Sequence, residues 1–382
     1  MEILTDRDMQ QLIRSVFPLH PDDRRLGILV DIPRDPAEDS TDWKERRNLA
    51  VEWYHTLKRI RPSLHLDEVI LIAYPDVGSN NADLPEFGTL IKGQLPSTSE
   101  ALSKTGEARS FRDIFRNTQI FLAPTQYSTT APLKVAAVTY DFRAATMPGF
   151  SSQMIPTLKL DYEEVNRRVL LLKEKLDRAM GADVHFTVDG EEDFEVYFDL
   201  RFRQAHASTG RFPEKGTAGN LPSGEAYIVP YEGEKGEASQ TQGMLPVQIR
   251  DDLVLFNIKH NRAVGVEGLV PAILEEKAHL EREPAYGNMA ELGFGVLADF
   301  GILPVGKILL DEKLGFHVAF GRSEHFGGAV GPEDFSAPSE VIHLDRIYIP
   351  ATQPRIMVRS LVLLYESGQG EILIENGKYL IF

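Results

Sequence analysis

The chain has 382 residues, with 57 acidic against 41 basic side chains, a formal net charge of −16 and no cysteine. Without cysteine there are no disulfides, thiolate metal ligands, iron–sulfur clusters or cysteine nucleophiles, so any metal must be held by His, Asp and Glu, donors that suit zinc, manganese, cobalt or iron(II). The acidic balance, with basic residues scattered, argues against nucleic acid as a partner, and no apolar run approaches membrane-spanning length.

The N-terminal Met1-Glu2-Ile3-Leu4-Thr5-Asp6 lacks a basic segment leading into an apolar one, so a soluble, cytoplasmic protein is expected. Thr5-Asp6-Arg7-Asp8 opens a helix with Met9, Leu12, Ile13, Val16 and Phe17 at helical spacing. Leu26 to Ile32 is apolar almost throughout and predicts a strand buried on both faces. Thr41-Asp42 opens a long helix whose stripe, Trp43, Leu49, Trp53, Leu57 and Ile60, stops before Pro62. A second strand is predicted at Glu68 to Tyr74, a helix at Phe111 to Arg116, a third strand at Gln119 to Ala123 and a fourth at Leu133 to Val138. Strands alternating with helices predict an α/β domain with an open, mostly parallel sheet over residues 1–150. Thr139 to Pro156 reads as its connector to a second domain, 151–382.

The helix predicted from Tyr162 to Met180 has Asp161 as its cap, Gly181 as its stop, and Val165, Leu172, Leu176 and Met180 on one apolar face. From Asp183 onward strands and turns dominate. Val184 to Val188 and Phe194 to Phe198 flank a turn at Asp189-Gly190, and Leu253 to Ile258 and Ala263 to Val266 form a hairpin turning near His260-Asn261. A helix at about Gly268 to Arg282 interrupts the strands, and Glu371 to Phe382 closes with a turn at Asn376-Gly377. The second domain is therefore expected to be α+β and β-rich, without internal repeats.

Four stretches in this half carry the residues of interest. Val341-Ile342-His343-Leu344-Asp345 would, as a strand, project His343 and Asp345 to one face. That pair suits metal ligation, and it is also an ordinary strand pairing. Gly315 to Gly321 is a second apolar segment, carrying His317. In Asn220-Leu221-Pro222-Ser223-Gly224-Glu225 a rigid turn delivers Glu225 to the start of an apolar strand, where a glutamate is more often exposed. Asn288 to Gly295 brings Glu291 into a glycine-spaced segment that on its own reads as a helix end capped by Gly293.

Together, Asn220 to Pro230, Glu291 to Gly295, Asp311 to Gly321 and His343 to Asp345 resemble, in order and spacing, the sequence blocks of the thermophilic-type metallo-aminopeptidases, the family of aminopeptidases T and S. The resemblance is strong from Gly219 to Asp345 and weak over the first 150 residues. It implies a two-metal centre with Glu225, Glu291, His317, His343 and Asp345 as ligands, a peptide or small-amide substrate, and a homodimer enclosing a shared cavity. Three carboxylates and two imidazoles suffice for two divalent ions, zinc, cobalt or manganese, if one carboxylate bridges. For a substrate α-amine, Glu232, Glu234, Glu283 and Asp299 are acidic groups among which the sequence does not choose.

The chain departs from the family pattern at one place. Seven residues past the first block histidine the family carries a catalytic tyrosine, and here Glu324 is followed by His325. Either His325, by a small shift of its glycine-rich loop, takes over the catalytic role, or the chemistry has changed. His185, His206 and His260 fit no block and read as surface or core residues. Two alternatives stand beside the aminopeptidase. One is a mononuclear iron(II) dioxygenase of dihydroxypyridines, which the fold resembles and which His317, His343 and Asp345 could serve. The other is a metal-binding protein that has lost catalysis.

Overall fold

The computed structural model of the chain describes residues 3–268 and 270–382. Met1 and Glu2 of the N-terminal stretch, and Leu269 of the helix expected from Gly268, lie outside the described residues. The chain forms two compact units, Met1–Asn166 with Ser208–Gly224 and Val305–Leu310, and Arg167–Ala207 with Glu225–Pro304 and Asp311–Phe382. Among the described residues no helix is long and apolar enough to cross a membrane.

The first unit is built on a seven-stranded sheet. From one edge it runs Thr217–Asn220, Arg143–Thr146, Ile120–Ala123, Arg25–Ile32, Glu68–Pro75, Phe87–Ile91 and Gly106–Ser110. The first five are parallel, Phe87–Ile91 runs antiparallel to Glu68–Pro75, and Gly106–Ser110 runs antiparallel to Phe87–Ile91. The apolar runs explain the centre: Leu26, Ile28, Leu29, Val30 and Ile32 are all buried, as strands covered on both faces require. One core cluster joins Leu29, Ile72 and Phe121 of the strands to Phe111 and Phe115 and to Leu133 and Ala137. The helix Asp6–Val16 is held at its start by a capping box between Thr5 and Asp8, and Thr41–Ile60 buries its predicted stripe, with Trp53 edge-on to Phe150.

Residues 133–138 are helical, within Thr130–Tyr140, not a strand. The β-branched Val135 and Val138 suggested a strand, but both point outward while Leu133 and Ala137, four apart, face the core. The fourth parallel strand is Arg143–Thr146, inside the stretch expected to be a connector. The chain later returns to pair Thr217–Asn220 with it, and Asn220 accepts hydrogen bonds from Thr130 and Thr146, both at 2.9 Å.

The second unit contains an eight-stranded antiparallel sheet, ordered Arg262–Glu267, Asp252–Lys259, Gln242–Ile249, Glu192–Asp199, Ala179–Val188, Ile356–Tyr365, Gly370–Glu375 and Lys378–Tyr379. A five-stranded sheet runs His343–Ile347, Phe316–Gly321, Met289–Gly295, Glu225–Ile228 and His206–Ser208. Alternation decides how they meet. Phe316, Val318 and Phe320 face the larger sheet, where Phe320 lies 5.0 Å from Phe256, so His317 and Ala319 face the other way. The long helix spans Tyr162–Arg178, and Gly181, expected as its stop, sits inside the strand Ala179–Val188 opposite Asp199. Strand pairing overrides the helical pattern there. Met289–Gly295 is likewise a strand, so Gly293 caps no helix.

Candidate metal centre

The sites of Glu225, Glu291, His317, His343 and Asp345 lie on four adjacent antiparallel strands of the smaller sheet. The register pairs Glu225 with Gly295, Glu291 with Ala319 and Ala319 with Asp345, and Gly321 with His343. Directly paired residues share a face, as do residues two apart, so all five side chains project from one side of the sheet. Glu291 pairs in unbroken register with Ala319, two residues from Gly293, and the register shifts only beyond it, toward Met289.

Gly293 makes room for the first imidazole. It stands between Tyr227 and His317 in the register, and a Cβ placed on it would lie 1.9 Å from His317 Nε2. The ring therefore leans across the neighbouring strand through the space a side chain would fill. Its Nδ1 faces the Gly315 carbonyl at 3.1 Å, and Nδ1 of His343 faces the Arg322 carbonyl at 2.8 Å. A carbonyl only accepts, so both Nδ1 atoms donate and both Nε2 atoms are aimed at the carboxylates, the arrangement that orients metal-ligating histidines.

Glu291 offers one oxygen to each ring, with Oε1 3.5 Å from His317 Nε2 and Oε2 3.2 Å from His343 Nε2. Asp345 Oδ1 is 3.5 Å from His343 Nε2 and 4.0 Å from His317 Nε2, and Glu225 Oε2 is 3.8 Å from His317 Nε2. Metal bonds of about 2.0–2.2 Å place neighbouring donors roughly 3 to 3.5 Å apart, which is the scale of this cluster. Two triads result, Glu225 with Glu291 and His317, and Glu291 with His343 and Asp345, the donor atoms in each lying within 4.8 Å of one another. Glu291 belongs to both.

Lys313, which nothing in the sequence had singled out, completes the site. It is 2% exposed and its ammonium donates to Glu225 Oε1 and to Glu312. The other oxygen of Glu225, Oε2, is buried without a hydrogen-bond partner. A buried carboxyl oxygen left without a partner beside an imidazole nitrogen is costly unless a cation meets it, so the residues present fit a metal ion.

The electrostatics of the metal-free cluster agree. Burial alone would raise Glu291, but bonds from His317 and His343 outweigh it and hold its carboxyl well below the usual carboxylate range. Burial opposes the charge on His317, yet Glu291, Asp345 and Glu225 lift it to about 9. His343 is raised in the same way by Asp345 and Glu291. Burial pushes Glu225 up against the pull of Lys313, and it pushes Glu312 up to about 8. Protons on the imidazoles thus supply the positive charge that metal ions would bring.

Glu324 and His325 lie in a short turn, Glu324–Phe326, at the edge of this face. Glu324 is turned to Arg322, which donates to it at 2.7 and 3.1 Å and lowers its pKa, so it is an ionised acceptor. His325 lies edge-on to His343, ring centroids 5.4 Å apart, and against Phe326. Burial, and then the charges of His343 and Arg322, lower it to about 4, so it is neutral at pH 7. The other acids are engaged elsewhere. Glu232 accepts from Asn288 and Ser323, Glu234 pairs with Arg203, Glu283 accepts from Ser336, and Asp299 pairs with Arg168. His206 stacks on Tyr227 at 5.2 Å, His185 lies 3.8 Å from Glu195, and His260 bonds the Ser239 carbonyl.

No family model matches the chain, and no curated protein matches it in sequence. Among solved structures it is similar to 2,5-dihydroxypyridine dioxygenase from Pseudomonas putida, with a TM-score of 0.59 and 13% identity over 100% of this chain and 99% of that one. It is also similar to AmpT from Thermus thermophilus, with a TM-score of 0.53 and 15% identity over 98% of each chain. At such identities the likeness establishes the mixed α/β fold, at a distance, and the metal-ligand groups stand on this chain's own geometry.

Proposed function

We propose that the protein is a metal-dependent hydrolase of peptides or small amides, an enzyme of the aminopeptidase kind, in which Glu225, Glu291, His317, His343 and Asp345 would hold two divalent ions. The observation that carries this reading is the division of Glu291, Oε1 to His317 and Oε2 to His343, with Glu225 and Asp345 flanking it. A carboxylate common to two triads suits a site for two neighbouring metal ions. AmpT, an aminopeptidase, shares the fold along its whole length.

When bound, such a pair supplies Lewis-acid activation of a water and of the scissile carbonyl. The chain's own residues do the rest. The Gly315 and Arg322 carbonyls hold the two rings with Nε2 inward. Lys313 pulls Glu225 toward its ionised form and fixes its Oε1, leaving Oε2 free for ligation. Zinc, cobalt or manganese loading, followed by metal analysis and assay on aminoacyl p-nitroanilides, tests the proposal. Close to two bound equivalents with hydrolysis support it; a protein that takes up no metal overturns it.

One observation favours a second reading, an iron(II) dioxygenase acting on a hydroxylated pyridine. Lys313 already neutralises Glu225, so His317, His343 and Asp345 could serve a single ion, and the dioxygenase shares the fold. Oxygen uptake with dihydroxypyridines under iron(II), with one bound equivalent, would decide for it.

A further inference from the structure

The geometry points to Tyr227 as the hydrogen-bond donor to the reacting carbonyl oxygen, an inference that rests on the hydrolase reading. Tyr227 lies two residues beyond Glu225 in the same strand and so shares its face. The register places it beside Gly293, with His317 beside Gly293 on the far side. Because Gly293 has no side chain and the imidazole leans across it, no side chain of that strand position stands between the phenol and Nε2.

The ring of Tyr227 is held from two other sides. Phe326 packs on it at 4.7 Å and His206 stacks at 5.2 Å with 22° between planes. These contacts fix the ring and leave the hydroxyl unengaged, for Tyr227 OH makes no hydrogen bond to a described residue. The phenol thus presents a donor that no described side chain or carbonyl takes up. Of the other polar groups at this edge, Lys313 is committed to Glu225 and Glu312, and Glu324 to Arg322, where it can only accept.

In the reaction, water adds to the carbonyl carbon and the carbonyl π bond breaks, placing negative charge on its oxygen. Tyr227 donates a hydrogen bond to that oxygen and keeps its own proton. As the carbonyl re-forms, the carbon–nitrogen bond breaks, and the amine leaves with a proton that came from the water. A neutral donor placed for the charged oxygen stabilises the transition state more than the ground state.

The test compares wild type with Tyr227→Phe, which retains the stacked ring. Cobalt(II)-loaded protein is titrated with leucine phosphonic acid, a tetrahedral anion, with binding read from the visible cobalt spectrum. The proposal expects unchanged cobalt content and an unchanged unliganded spectrum, with phosphonate affinity about tenfold or more weaker in the variant. Turnover should show kcat lower by roughly 10²- to 10³-fold with KM little changed. Equal phosphonate affinity and equal kcat in the two proteins overturn the assignment and leave the metal centre standing. Wild type that holds cobalt yet ignores the phosphonate also overturns it. Wild type that holds no cobalt removes the hydrolase reading itself, an outcome distinct from the other two.

Discussion

Lys313 donates to Glu225 across 88 residues of sequence, and both side chains are almost fully buried. The bond joins the middle of the short helical turn Glu312–Leu314 to the first residue of the strand Glu225–Ile228 and fixes which oxygen of Glu225 remains for a metal. Removing one partner of a buried pair costs about 3–5 kcal/mol because the other charge is left alone. Lys313→Met should therefore destabilise the metal-free protein by about that amount. Excess zinc should recover much of the loss, since a metal then meets the charge of Glu225. Chemical denaturation of the variant with and without zinc measures both effects; a loss that zinc leaves untouched would count against Glu225 as a ligand.

Glu291 serves both triads, whereas Glu225 and Asp345 each serve one. Glu291→Ala should accordingly abolish binding of both ions, and Glu225→Ala or Asp345→Ala should leave one of two. Metal analysis after dialysis separates the cases. If Glu291→Ala retains a full equivalent while Glu225→Ala changes nothing, a single ion on His317, His343 and Asp345 fits better.

Gly293→Ala is the most local test of the site's shape. The added Cβ would fall 1.9 Å from His317 Nε2, so the imidazole must swing away or the strands must part. Overpacking of this kind costs typically about 1–3 kcal/mol. Displacing a ligand should weaken metal binding by at least the 10- to 100-fold that follows loss of an orienting partner, roughly speaking. A competition titration against a chromogenic chelator reads the affinity, and circular dichroism should show the sheet intact.

How much of this was legible beforehand varies by residue, for physical reasons. Leu26–Ile32 and Glu68–Tyr74 announced a sheet covered on both faces because nearly every position in them is apolar. Leu133–Val138 misled because a short apolar run carries no length with which to tell strand from helix. Glu225 taken alone reads as a surface residue and becomes a ligand only through the family resemblance; its burial, 6% exposed, goes with a lysine 88 positions away. The same holds for Tyr227 and Gly293, whose meaning appears only once register sets them beside His317. The block residues were readable through family resemblance; the partners that orient them are contacts between strands distant in sequence.

The pH response should separate the metal-free and loaded proteins. Without metal, His317 is held at about 9 against about 6.5 in an unfolded chain. Between those values the folded state binds more protons, so its stability falls as pH rises. The stabilisation, on the order of 3 kcal/mol, is complete below pH about 6.5 and is gone above about 9. Metal binding requires the neutral ring and releases its proton, so zinc affinity should climb across the same window. Melting curves from pH 6 to 9 should therefore fall for the metal-free protein and diverge upward for the zinc-loaded one.

The turn carrying Glu324 and His325 depends on Glu232. This buried carboxylate accepts from Ser323 Oγ at 2.6 Å, from the Ala329 amide and from Asn288 at 2.6 Å, and Arg203 pairs with it at 3.3 Å. Arg203 also donates to the Gly327 carbonyl, so the chain from Ser323 to Ala329 is tied at both ends to a single charge. Glu232→Gln keeps the shape but loses the charge that strengthens each bond, and one amide NH₂ would face donors it cannot accept from. The loop should loosen, and with it Phe326, which packs on Tyr227 and lies 5.4 Å from His343. Because Glu232 sits outside both metal triads, metal content should stay the same while kcat falls about 10-fold or more, as small misplacements at reacting groups cause. Hydrogen exchange of residues 322–329 measured beside turnover checks it: faster exchange with unchanged kcat would show that the turn plays no part in the reaction.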